Sequence, residues 1–182
     1  MLPIVLLFGA YVGALHLRPY PFPASFEVIL PDETCGEVCV MGITPGMTTL
    51  AEAQHILETH PYVQNTVLPD SAMDIVRWQW SEAGPPWLLG SPAPSVRAAT
   101  DDVIYTLRIQ TNVPLKHFRV RLGLPDASNC FSNLNSVECI DIYEWQRAHQ
   151  RIRYSLQTSL AEVDDPLEAR ARVTISVEDL PQ

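Results

Sequence analysis

Residues 43–63 read ITPGMTTLAEAQHILETHPYV, and they carry the signals of a helix with a fixed start and a fixed stop. Thr48 or Thr49 can cap the start, and Glu52 stands three positions beyond Thr49, the spacing of a capping box. Leu50, Ala53, Ile56 and Leu57 then recur at helical spacing and share one face. Pro61 prevents continuation. The pattern predicts a helix over 49–59 with one apolar side to bury.

Outward from this helix the period changes. VQNTVLP and DSAMDIVRWQWSE read as strands, with Val76, Trp78 and Trp80 alternating against Ile75, Arg77 and Gln79. Residues 83–100, AGPPWLLGSPAPSVRAAT, show no period and read as a long loop. VIYTLRIQ alternates again, with Val103, Tyr105, Leu107 and Ile109 expected inward and Ile104 out of phase. A short second helix is expected before Gly123, with Leu115, Phe118 and Leu122 on one face and Gly123 as the residue that ends it. The alternation of FRVRL leaves a strand as the other reading of that stretch. Three strands follow, at about 137–145, 150–157 and 170–178. Their expected inward sets are Ile140 and Ile142; Ile152, Tyr154 and Leu156; and Val173, Ile175 and Val177. Upstream, FEVIL at 26–30 reads as a short strand.

The fold class expected is therefore α+β, with helices packed on one face of an antiparallel sheet. One domain spans 26–182, and its order divides it into two helix-then-strands halves, 34–110 and 111–182. Each half alone is too small to close a core.

Residues 1–17, MLPIVLLFGAYVGALHL, contain no charged side chain. As a helix they would reach roughly 25 Å, short of a bilayer core of about 30 Å. They suit a signal or an anchor, although a basic leader is missing; a buried core segment is the other reading. RPYPFPAS at 18–25 is a stiff proline-rich spacer. The four cysteines fall into two local pairs, Cys35 with Cys39 and Cys130 with Cys139. An even number at short spacing suits disulfides in an oxidising compartment, with three connectivities open. A zinc site is the alternative, but its usual spacing is C-x2-C, and the gaps here are longer. The expected location is extracytoplasmic, tethered or secreted.

The formal charge is −9. Before Arg77 a single basic side chain, Arg18, faces eight acids. This balance argues against nucleic acid as partner, since a phosphate-binding surface needs excess cations. Arg108, Arg119, Arg121, Arg151 and Arg153 fall on expected outward positions, as a mild cationic face or as ordinary solvated residues.

At residues 42–57 the chain resembles the small lipoprotein of the outer-membrane barrel assembly machine (the SmpA/OmlA group) and the β-lactamase inhibitor protein. Gly46, Met47, Thr48, Glu52, Ala53 and Leu57 carry the likeness. Cys35 through Thr48 also resembles uncharacterised secreted bacterial proteins with a C-x3-C-x-x-G-I-x-P-G-x-T pattern. The resemblance implies helices on an antiparallel sheet and a non-catalytic binding or scaffolding role. It names no ligand.

No G-x-S-x-G, P-loop, H-E-x-x-H or G-x-G-x-x-G motif occurs. His55 and His60 are five apart and do not share a helix face, and Asp101-Asp102 and Asp164-Asp165 are adjacent carboxylates that point apart on a strand. Neither a metal nor a cofactor is expected. The sharper feature is aromatic: Trp78, Trp80 and Trp87 lie within ten positions beside the 83–100 loop. Trp80, Trp87 and Leu88 are the candidate binding residues, while Trp78 and Trp80 also fit the core face of a strand. Three functions remain open: a binding module for a protein or envelope component, an inhibitor of an extracellular enzyme, and a hydrolase without a recognisable site.

Overall fold

The computed structural model describes residues 22–32, 35, 38–67, 74–99, 101–132, 137–147, 150–159 and 170–179. The apolar segment 1–17, residues 18–21 of the spacer, His149 and Asp164-Asp165 lie outside the described residues.

Nine strands form one antiparallel sheet: β1 (Val63–Val67), β2 (Ile75–Trp80), β3 (Leu88–Leu89), β4 (Ser95–Ala98), β5 (Ile104–Pro114), β6 (Ala127–Ser132), β7 (Val137–Arg147), β8 (Gln150–Ser159) and β9 (Arg170–Asp179). Their spatial order is β1-β2-β4-β5-β9-β8-β7-β6, with β3 paired to β5 beside β4. β5 is long enough to hold β4 and β3 in succession along one edge and β9 along the other.

The expected α+β arrangement of helices laid over a sheet is overturned. The described residues are mostly sheet and include two short α-helices, α1 (Leu50–Thr59) and α2 (Leu115–Leu122). The reason lies in one stretch read as a loop and another where no strand was expected. Residues 83–100 contain β3 and β4, and 127–132 form β6, so strands occupy chain that looked irregular. FEVI at 26–29 winds into a single 3₁₀ turn and not a strand.

Local chemistry does set the helices. Thr49 Oγ1 accepts from the Glu52 backbone N–H at 3.3 Å, and Glu52 Oε2 accepts from the Thr49 N–H at 2.9 Å, completing the capping box. Those bonds hold the Glu52 carboxyl below its ordinary range. α2 ends at Gly123, whose φ of +85° suits a residue without a Cβ, and whose N–H donates to the Arg119 carbonyl at 2.9 Å.

The core lies on one sheet face. Val76, Trp78, Val96, Leu107, Ile109, Ile152, Tyr154, Leu156, Val173 and Ile175 are buried there against Ala53 and Leu57 of α1, Leu115 and Phe118 of α2, and Phe26, Ile29, Val40 and Ile43 of the preceding segment. That preceding segment, with its 3₁₀ turn, covers much of what the two short α-helices leave open. Tyr154, fully buried, donates its hydroxyl to the Ile29 carbonyl at 2.8 Å.

Two inward sets differ from expectation. In β7 the buried residues are Cys139, Asp141 and Tyr143, so Ile140 and Ile142 face the other way and are half-buried. In β5 Ile104 is buried, because the register with β4 shifts between Arg97 and Ala98 and moves its start out of phase.

Both local cysteine pairs are bonded: Cys35 to Cys39 and Cys130 to Cys139. The second bond joins residues directly opposite each other on β6 and β7, with Cα atoms 4.1 Å apart.

Candidate functional site

The aromatic candidates do not assemble into a surface. Trp87 and Leu88 are each only 8% exposed, and both belong to the core cluster. The Trp87 ring meets Phe26 edge-on at 6.3 Å, and its indole N–H donates to the Ala24 carbonyl at 3.0 Å. Trp80 is half-buried, stands edge-on to Trp78 at 5.5 Å and donates to the Leu89 carbonyl at 3.2 Å. Their polar ends are spent inside the fold, and their ring surface goes to packing.

A hollow of about 820 Å³ runs along α1 between Met47, Thr48, Glu52, His55 and Ile56. Glu52 is committed there to the helix cap, and no hydrogen bond links it to His55 among the described residues. Asp32, Cys35 and Cys39 place oxygen and sulfur atoms within 4.8 Å of one another. The two sulfurs are bonded to each other, so neither is a thiolate for a metal.

The sheet face opposite the core is different. Arg77 on β2, Arg97 on β4, Arg108 on β5 and Arg172 on β9 all point there, exposed, and line one hollow of about 410 Å³ with Ser95 and Gln110. Among the described residues no acidic side chain lines it. Among the described residues Arg77, Arg97 and Arg108 have no ion pair. Arg172 is steadied by a neutral neighbour. With the Gln110 amide turned so that its oxygen faces the guanidinium, that oxygen accepts from Nε at 2.6 Å and Nη2 at 3.0 Å.

Arg119, Arg151 and Arg153 are engaged elsewhere. Arg151 and Arg153 flank Glu144 at 3.7 and 3.1 Å, and Arg153 reaches Glu178 at 2.8 Å. Arg119 on α2 is bound to Asp141, which raises the guanidinium pKa through that hydrogen bond. Arg121 is exposed on α2. Of the five arginines singled out from sequence, Arg108 alone joins this cluster. Arg77, Arg97 and Arg172 went unnoticed, because only strand register brings them beside Arg108.

Four guanidinium groups at one place, inside a chain of charge −9, create a local potential opposite to the body around them. Besides its guanidinium groups, such an array offers the Ser95 hydroxyl and the Gln110 amide among the described residues. It can bind carboxylate, sulfate or phosphate in planar, two-pronged contacts. In comparison with known proteins, the chain matches no family model, no curated protein and no solved structure.

Proposed function

We propose that this protein is a non-enzymatic extracytoplasmic binding module that holds a partner on the outer face of its sheet. The observation that carries the reading is the arginine cluster of Arg77, Arg97, Arg108 and Arg172, exposed on one face around a hollow whose described lining holds no acidic residue. Uncompensated like charges repel, so this grouping is unfavourable in the isolated protein and becomes favourable when an anionic partner covers it. Two disulfides support placement in an oxidising compartment. No helix among the described residues is long and apolar enough to cross a membrane, so tethering would rest on residues 1–17. The likeness of residues 42–57 to envelope-assembly and inhibitor proteins points in the same direction.

Site-specific photo-crosslinking in the native host tests the reading. A crosslinking side chain at Thr174, on the outer face beside Arg108, should yield a discrete adduct. The same group at Glu58, exposed on α1, should not. Adducts from α1 with none from Thr174 would place the working surface elsewhere.

A further inference from the structure

We infer that the arginine array is a track for an acidic stretch of a partner protein, bound in extended form with carboxylates at alternate positions. This rests on the binding reading above and specifies the chemistry of the partner.

The register gives the track its direction. Arg97 pairs with Thr106, and Ser95 pairs with Arg108, so Arg97 and Arg108 are diagonal neighbours across β4 and β5. Arg108 pairs with Thr174, and Gln110 pairs with Arg172, so Arg108 and Arg172 repeat the same diagonal across β5 and β9. Arg97, Arg108 and Arg172 therefore lie on one line, stepping one strand and two residues each time. Arg77 pairs with Ser95 and stands beside the start of that line.

Each diagonal step is about 7–8 Å, so the three arginines are rooted over about 15 Å of the sheet. An extended peptide shows side chains on one face every second residue, about 6.6 Å apart. The mismatch per step is about an ångström, within the reach of a flexible arginine side chain. Strands β4, β5 and β9 are antiparallel neighbours in a continuous sheet, so their backbone fixes these steps before any ligand arrives. Gln110 additionally holds the Arg172 guanidinium in place.

A phosphate polymer presents a similar spacing but continues past both ends of the track, onto a body of net charge −9. A peptide can confine its charge to the few residues that lie over the arginines. Charge complementarity thus favours a short acidic segment over a nucleic acid.

Fluorescence anisotropy on the full disulfide-bonded chain tests this. The probes are a labelled peptide alternating Glu and Thr, a peptide of the same composition with its glutamates clustered, a Gln-for-Glu version, and an oligothymidylate of equal length. The alternating peptide should bind, weaken with added salt, and exceed the clustered peptide by about fivefold or more; the Gln version should not bind. Arg108→Gln should cost about tenfold or more, and Arg121→Gln on α2 should cost nothing measurable. Circular dichroism on both variants confirms that the sheet is intact. Equal binding of the two acidic peptides, unchanged binding by Arg108→Gln, or preference for the oligothymidylate overturns the inference. If Thr174 still crosslinks a partner while the acidic peptides fail, the outer face remains the working surface and only the acidic-segment assignment is lost.

Discussion

Asp141 is fully buried on β7, and Arg119 of α2 closes over it with Nε 2.5 Å from Oδ2 and Nη2 2.8 Å from Oδ1. Ser128 of β6 adds a third donor at 2.7 Å. The pair ties α2 to the far side of the sheet, but its members are not equivalent. The Arg119 side chain keeps 32% of its surface in water, and Asp141 keeps none. Removing the arginine leaves a carboxylate without its counter-charge, whereas removing the carboxylate leaves a cation that can turn to solvent. Arg119→Met should therefore cost about 3 kcal/mol, and Asp141→Asn distinctly less. Urea denaturation of both variants reads the difference, and equal losses would contradict the asymmetry.

Trp87→Ala should act on stability. Its ring fills core space beside Phe26, so truncation should cost about 3–5 kcal/mol. Partner capture by the fraction still folded should be unchanged. A variant of wild-type stability with lost binding would restore Trp87 as a contact residue.

The Cys130–Cys139 bond closes a loop of ten residues and holds edge strand β6 to β7. Replacing both cysteines by alanine should cost about 2–3 kcal/mol by loop-closure entropy. Hydrogen exchange should show β6 amides losing protection before those of β8 and β9. Uniform loss across the sheet would mean that the bond matters to the whole fold and not to its edge.

Burial pushes the His60 imidazole below its ordinary 6.5, and its Nδ1 accepts from the Tyr62 N–H at 3.2 Å. The unfolded chain therefore takes up this proton first as pH falls. Stability should be unaffected by His60 above 6.5 and should decline below that value until the folded form also protonates. Melting temperatures from pH 7.5 to 5 should fall more steeply for the wild type than for His60→Gln, and parallel curves would refute the assignment.

Burial also pushes Tyr143 up to about 12, with the Asp141 charge adding to it, and moves Tyr154 well above its ordinary 10. The unfolded chain then gives up these phenolic protons first as pH rises. Stability should fall from about pH 10 upward. Tyr154→Phe should flatten that decline while costing about 1 kcal/mol at neutral pH, because the Ile29 carbonyl loses its donor. Denaturation midpoints between pH 8 and 11 check both effects.

What could be read from the sequence was local. Thr49 and Glu52 lie three apart and settle where α1 begins, and Gly123 settles where α2 ends. β8 and β9 alternate cleanly, so Ile152, Tyr154, Leu156, Val173 and Ile175 fall inward as their spacing says. β7 inverts because Asp141 is buried by an arginine 22 residues earlier, a contact no window of alternation contains. β6 hides because all six of its residues are exposed at an edge and show no apolar rhythm. The arginine cluster hides for the same kind of reason. Its members are scattered between positions 77 and 172 and meet only through cross-strand pairing.

Among the described strands β9 comes last in chain order, yet it sits in the middle of the sheet, between β5 and β8. The flank made by β1 to β5 and the flank made by β6 to β8 have no direct pairing with each other. Until residues 170–179 emerge, a growing chain is two unjoined sheets, each showing a raw edge. That ten-residue strand acts as the keystone, since β5 and β8 each pair with it and not with each other.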